Sequence, residues 1–404
     1  MAKVCMTVWN DFLNDARVTK EAETLQSAGH QVTVFALHTP GKTKKRQTLA
    51  SGVKVVRVDR SPLWGLRDRM GLLRGPSASG PATGPVKAAR GRTVLRVVTR
   101  GLAHGSWLAR IVASRPDVIH AHDVNTLPTA WLASRLSRAS LVYDAHEIST
   151  DREGYASVRK LVGWVEKKLM PRAAATITTT DARAKFFARA YGIRRPLVLQ
   201  NRPRFAQTSR TDRLREELEL RPDWPVILYQ GGLQQGRGLD KLIAAAGELP
   251  EAYVVYIGGG RLEGQLQALV AEKQLADRVR FIPTVALDQL HSYTQSADIG
   301  VQPLENTCLN HFTTDSNKLF EYVMAGLPVV TTDMPEIRKI VNEHKLGLLV
   351  PPGDSEALTA ALRRLVEDRE LRQTLAANAK RAATQLTWEA QESLLVELYR
   401  GIGA

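Results

Sequence analysis

Short β-branched runs alternate with helical stretches along the chain, and after a polar interval near residue 200 the alternation begins again. The first series is Val4 to Val8, Gln31 to Leu37, Val53 to Val58, Asp117 to His122, Ser140 to Ala145, Ala175 to Thr180 and Pro196 to Gln200. The second is Val226 to Tyr229, Tyr253 to Ile257, Val279 to Ile282, Ile299 to Pro303, Pro328 to Thr332 and Gly347 to Val350. Strands separated by helices build parallel βαβ units, and 404 residues is more than one ordinary core supports. The pattern predicts an α/β protein of two doubly wound, Rossmann-like domains, residues 1–200 and 201–385, with Asn201 to Arg210 as the linker.

Composition narrows the function classes. A hydrophobic fraction of 44% and a charged fraction of 24% are those of a soluble globular protein. Cys5 and Cys308 lie far apart and match no metal-ligand spacing, which favours a reducing, cytoplasmic setting. No stretch approaches the apolar run a membrane span needs, and the N-terminus has no signal-peptide pattern. The net charge of +15 is concentrated between Arg60 and Arg110, where ten basic residues meet one acid, Asp68. Trp64, Leu66, Met70, Leu72, Leu73 and Trp107 are interleaved with them, around the turn-rich run Gly75 to Pro85. Basic and apolar residues mixed in this way suit an anionic membrane surface or an anionic, lipid-linked substrate, so peripheral association with the inner membrane face is the expectation attached to this segment. No RNP, zinc-finger or helix-turn-helix signature is present, and nucleic acid is not the expected partner.

In open parallel sheets ligands bind beyond the carboxyl ends of the strands. Two loops there stand out. Gln230 to Leu239 is rich in glycine and carries one cation, Arg237, while the next strand ends in Gly258, Gly259 and Gly260. Bare backbone lets a bulky anion come close. Further on, Ser316-Asn-Lys-Leu-Phe-Glu321 places Lys318 and Glu321 three residues apart, on one face of a short helix that Asp315 or Ser316 can cap and Gly326 can end. Free N–H groups at a helix N-terminus, with Lys318 beside them and Glu321 one turn on, would suit a phosphate joined to a sugar ring. The Walker spacing is absent and no acidic pair marks a magnesium site, so the diphosphate is expected to be held without metal.

These motifs resemble the family 4 retaining glycosyltransferases of the GT-B fold, over nearly the whole chain. Gly231 to Gly238 is similar to the family's Gly-x-Leu-x-x-x-(Lys/Arg)-Gly loop, Asn317 to Val329 to its Asn-Lys-Leu-Phe-Glu-Tyr helix, and Gly347 to Asp354 to its late Gly-x-Leu-Val-x-Pro-Gly-Asp turn. Asp15 to Ala22, His120 to Asp123 and Tyr143 to Glu147 resemble its acceptor-side loops, and residues 386–404 its closing helix, which crosses back onto the first domain. The resemblance implies two domains facing a cleft and a nucleotide-sugar donor, UDP- or GDP-linked, used as substrate with no cofactor and no metal. It implies donor binding by Gly231, Gly232, Arg237, Gly258, Gly259, Asn317, Lys318, Leu319 and Glu321. Arg237 and Lys318 would neutralise the leaving diphosphate, and Glu321 would accept from the ribose hydroxyls. Together with Arg237 and Lys318, His122 is the third catalytic candidate, and Asp15, Arg17, His120, Asp123, His146 and Glu147 complete the acceptor side. Two positions depart from the pattern: Thr313 stands where the family has the first Glu of Glu-x7-Glu, and Gly232 where it often has Arg. Asp315 and Glu305 are the acids near enough in sequence to substitute for the missing Glu.

The two histidines of the His120-Ala-His122 pair are expected to point to opposite faces, His120 into the core and His122 to the loop edge. The reading that results is transfer of a sugar from a nucleoside diphosphate to an acceptor hydroxyl, the acceptor lipid-linked or anionic. A nucleotide-sugar 2-epimerase of the same fold is the alternative enzyme, and an inactive basic adaptor that binds membrane or nucleic acid is the alternative of another class.

Overall fold

A computed structural model describes residues 1–60 and 87–404, with residues 87–97 and Glu153 described by their backbone alone. Of the basic segment, Trp64, Leu66, Met70, Leu72, Leu73 and the arginines at 67, 69 and 74 therefore lie outside the described residues. Two compact units divide the chain: residues 1–178, 184–197 and 394–404 form the first, residues 179–183 and 198–393 the second.

The first unit is built on an eight-stranded sheet ordered β3-β4-β2-β1-β5-β6-β7-β8. Its strands are β1 (Lys3–Thr7), β2 (Gln31–His38), β3 (Arg46–Thr48), β4 (Lys54–Asp59), β5 (Val118–His122), β6 (Ser140–Ala145), β7 (Ala175–Thr178) and β8 (Leu197–Val198). The sequence pattern missed β3, the antiparallel edge, because its three residues are all exposed and carry no hydrophobic alternation. Near the centre, β1 is parallel to both β2 and β5. The crossovers diverge there, and this reversal is where such sheets leave a crevice for a ligand. The helix Lys87–Ala113 packs into the core through Ala103, Trp107 and Ile111. Trp107 is fully buried and its indole N–H donates to the Ala36 carbonyl at 3.2 Å. It is thus a core residue and no part of a membrane-facing surface, a correction that follows from its apolar spacing with Ala103 and Ile111. The final helix, Glu392–Gly401, enters the first unit from Leu394 and buries Leu395 and Tyr399.

The second unit carries a six-stranded, wholly parallel sheet ordered β11-β10-β9-β12-β13-β14. These are β9 (Val226–Gln230), β10 (Tyr253–Ile257), β11 (Val279–Ile282), β12 (Ile299–Gln302), β13 (Val329–Thr332) and β14 (Gly347–Val350). Every residue of β9, β10, β12 and β13 is buried, as expected of strands covered by helices on both faces. The strand order reverses between β9 and β12, so the loops after β9, β10 and β12 open at the switch point.

Candidate functional site

In the second unit, the carboxyl ends of β9 and β10 lie against each other so closely that side chains are excluded. The amide of Gly231 donates to Ile257 at 2.8 Å and that of Leu233 to Gly259 at 3.1 Å. Gly258 has φ +138°, and a Cβ there would come within 2.2 Å of the Gly231 carbonyl oxygen. Gly231 itself, at φ +125°, receives the Lys318 side chain: a Cβ would meet Lys318 Cε at 2.6 Å. Lys318 therefore crosses bare backbone to bring Nζ over the Tyr229 ring, 5.4 Å from its centroid. Burial, reinforced by Arg237, pulls the Lys318 pKa down to about 8 against the opposing pull of Glu321. The sequence-predicted cations Arg237 and Lys318 thus act on each other, and among the described residues neither has a carboxylate within ion-pair distance.

The helix Asn317–Met324 begins without a side-chain cap, against the expectation that Asp315 or Ser316 would supply one. Ser316 sits at φ +53°, and the Asp315 carboxylate is turned away to accept from Gln200 Nε2 at 2.9 Å. The Leu319 amide donates to the Ser316 carbonyl at 3.2 Å, and no side chain caps the rest of the first turn, which suits an anion site. Glu321 is fixed by Gln230, whose Nε2 donates to it at 2.5 Å while the Gln230 carbonyl accepts from Thr294 at 2.8 Å. Gly326 closes the helix at φ +74°, as its residue type predicts. Leu319 is buried beneath this turn, whereas Asn317 and Gly232 are exposed at the edge and Gly259 is half-buried. Thr313 is buried; its hydroxyl donates to Leu309 at 2.8 Å and accepts from Arg183 Nε at 3.3 Å. Neither acid weighed as a substitute for the missing Glu is free for that role. Burial pushes Asp315 up to about 6, with Arg183 and Gln200 opposing, and Glu305 is held by Lys241.

The first unit gathers a different set of groups at the ends of β5 and β6. Arg17 donates to Asp144 through Nε at 2.7 Å and through a terminal nitrogen at 3.0 Å, and its Nε lies 3.1 Å from Glu21. His120 and His122 do not point to opposite faces. Their rings stack at 4.3 Å, because residues two apart in a strand share a face. Both are buried, His120 with Nδ1 3.0 Å from the Tyr399 hydroxyl and His122 with Nδ1 3.2 Å from His146 Nε2. Burial lowers the pKa of both, so they are neutral. His146 is also penalised by burial, but Asp123 and Asp144 outweigh the penalty and raise it to about 9. Burial works to raise Asp144, yet Arg17 and His146 hold it well below the usual carboxylate range. Glu21 moves the other way, raised by burial and by Asp144. Charge is thereby balanced within the cluster. Asp15 caps the helix Ala16–Ser27 at the Val18 amide, 3.2 Å away, and Asp123 and Glu147 pair with Arg152 at 3.4 and 3.5 Å.

A family profile described as glycosyl transferases group 1 matches residues 210–382, and one described as a glycosyl transferase 4-like domain matches residues 15–202. The chain is a glycosyltransferase. D-inositol 3-phosphate glycosyltransferase of Xylanimonas cellulosilytica is 26% identical, over 95% of this chain and 90% of its own length. The enzyme of that name from Corynebacterium urealyticum is 28% identical over 71% and 72%. Among solved structures, sucrose-phosphate synthase of Thermosynechococcus elongatus superposes with a TM-score of 0.79 at 19% identity, covering 100% of this chain and 99% of that one. HepE of Anabaena, solved with UDP-glucose, superposes at 0.70 with 18% identity over 99% and 100%. These likenesses show the GT-B fold. Nothing in the comparisons supports the 2-epimerase.

Sequence reasoning missed several residues on which this glycosyltransferase's two edges depend. Glu21 lay inside a quoted motif but shows its burial only when the helix is packed. Tyr229 read as a strand residue and Gln230 as the start of the glycine-rich loop, although their place at the end of β9 could have flagged both side chains. Glu21, His120, His122 and Asp144 offer ligand atoms within 4.8 Å of one another, a spacing a divalent ion could use. Arg17 already holds both carboxylates, so an added cation would have to displace a cation. Among the described residues, no helix is long and apolar enough to cross a membrane.

Proposed function

We propose that this glycosyltransferase moves a sugar from a UDP- or GDP-linked donor to an acceptor hydroxyl with retention and without a divalent ion. The observation that carries the reading is Lys318 laid across Gly231 beside an uncapped helix N-terminus, with Arg237 near enough to depress its pKa. Two cations without carboxylate partners favour a diphosphate and favour it more as the nucleotide leaves and charge develops. Glu321, oriented by Gln230, accepts from the ribose hydroxyls. Gly232, Gly258, Gly259, Asn317 and Leu319 line the donor's approach through backbone groups. On the acceptor side, neutral His122 orients a hydroxyl, with Asp144 and His146 fixing its ring. The departing phosphate, rather than a protein base, takes the acceptor proton in same-face attack.

The curated relatives are named for a phosphorylated inositol, which supports an anionic acceptor. The chain's excess of positive charge supports the same class, and a cytoplasmic location fits both substrates. The test begins with a thermal-shift screen of UDP and GDP sugars, since a ligand that binds only the folded state raises the melting temperature. Nucleotide release with the stabilising donor should then depend on acceptor and persist in excess EDTA. A strict requirement for Mg²⁺ or Mn²⁺ would overturn the metal-free clamp.

A further inference from the structure

The helix Arg159–Leu169 turns two unlike sides to its surroundings. Its one carboxylate, Glu166, is fully buried and accepts from the hydroxyls of Tyr143 at 2.5 Å, Ser149 at 2.9 Å and Tyr191 at 2.8 Å. Gly163 lies on the same inward side, where a Cβ would come within 2.7 Å of the Thr150 side chain. Three hydrogen bonds and this close approach fix the helix's rotation, so it cannot roll to hide its other face. That face holds Leu161 at 60% exposure and Trp164 at 62%, with Lys160, Lys167 and Lys168 exposed around them. It has large apolar groups and cations, and no acid. Beyond the helix, Arg172 joins Arg135, Arg138 and Trp131 around a hollow of about 770 Å³ whose lining contains no carboxylate.

We propose that this face of the first unit docks on an anionic phospholipid bilayer, with Trp164 and Leu161 entering the headgroup boundary and the arginine-lined hollow receiving a lipid phosphate. Indole rings favour the membrane interface, where one side is apolar and the other wet. Lysines close to an anionic surface each add attraction that salt weakens. A second copy of this chain fits poorly, because a symmetric contact would set Lys160, Lys167 and Lys168 against their own counterparts. The proposal rests on this surface alone and stands apart from the sugar-transfer reading.

Co-sedimentation of the full chain with phosphatidylcholine vesicles, with and without phosphatidylglycerol, tests it. Binding is expected only to the anionic vesicles, and raised salt should weaken it. Leu161→Ser with Trp164→Ser should lower it about tenfold, as should neutralising Lys160, Lys167 and Lys168 together to Gln. Trp164→Phe should keep most of it. These side chains are exposed, so the melting temperature should match the wild type and exclude unfolding as the cause. Unchanged binding in the Leu161/Trp164 double variant, equal binding to neutral vesicles, or no vesicle binding would overturn the proposal. So would a wild-type dimer in sedimentation velocity that the double variant converts to monomer. Displacement from vesicles by inorganic phosphate at constant ionic strength would assign the hollow to a free anion and count against a lipid headgroup.

Discussion

The two units answer the same electrostatic problem in opposite ways. In the first, Arg17 and protonated His146 face Asp144 and Asp123, while His120, His122 and Glu21 are held neutral, so a buried cluster closes on itself. In the second, Lys318 and Arg237 lie together with no carboxylate within ion-pair distance among the described residues, and the helix between β12 and β13 starts uncapped. The first arrangement balances its own charges, although both Glu21 carboxyl oxygens and the Nε2 atoms of His120 and His122 are buried without a hydrogen-bond partner among the described residues, and it should serve stability and the orientation of His122. The second is left electrically unfinished, which is unfavourable in the free protein and, on the proposed reading, becomes favourable once a diphosphate arrives. A cluster that balances its own charges and a cluster that awaits an anion should respond differently to the same kind of mutation.

Removing a cation from each unit is the most direct way to break this comparison. Arg17→Met strands Asp144 in a buried site, and the loss of one partner of a buried ion pair should destabilise folding by about 3–5 kcal/mol in denaturant unfolding. Adding Asp144→Asn to that variant should recover part of the loss. Lys318→Ala should do the reverse. We expect the melting temperature to hold or rise, because a desolvated cation is removed, while kcat/KM falls by about 2–4 kcal/mol of transition-state stabilisation. Arg237→Ala should follow Lys318→Ala. If Arg17→Met left stability unchanged, or both second-unit variants turned over at the wild-type rate, the two clusters would not differ as described.

The same contrast explains what could be read from the sequence. The donor edge was legible because its elements are local: Gly231, Gly236 and Gly238 answer to positive φ and close approach, and Lys318 with Glu321 to helical spacing. On the acceptor side most members were named from the family resemblance, but their pairing was not legible, because the cluster is assembled from three separated segments, β5, β6 and the helix Ala16–Ser27, whose charges meet only on packing. Glu21 has the sequence of a solvent-facing residue and the burial of a core one. His120 and His122 were placed on opposite faces although a strand's period of two puts them together. In the same way, Trp107 in a basic window read as a surface aromatic until the helix Lys87–Ala113 turned it inward.

A smaller effect separates the parts of the donor edge. Glu321→Gln keeps the shape of the side chain but weakens acceptance from ribose hydroxyls, so affinity for the bare nucleoside diphosphate should fall by about 1.5–3 kcal/mol in calorimetry. Gln230→Leu should lower affinity less, since it removes only the group that orients Glu321. Unchanged nucleotide affinity in Glu321→Gln, with sugar recognition lost, would move this carboxylate from the ribose to the transferred sugar.

The smallest effect at neutral pH, and the one that sharpens the comparison most, is the titration of Lys318. Burial, with Arg237, brings its pKa down to about 8, so the ammonium is present below that pH and disappears above it. A bound diphosphate favours the charged form and raises the pKa in the complex. Donor affinity should therefore be flat below pH 8 and decline above it, by up to about tenfold per pH unit until the pKa of the complex is reached. Lys318→Arg, whose guanidinium stays protonated across this range, should remove the inflection even where it misplaces the charge and weakens binding overall. The first unit supplies the control, since no variant of its self-balanced cluster should shift that inflection. A profile that stayed flat through pH 9 in the wild type would mean that Lys318 keeps its proton without a ligand, and that the second unit is not electrically unfinished after all.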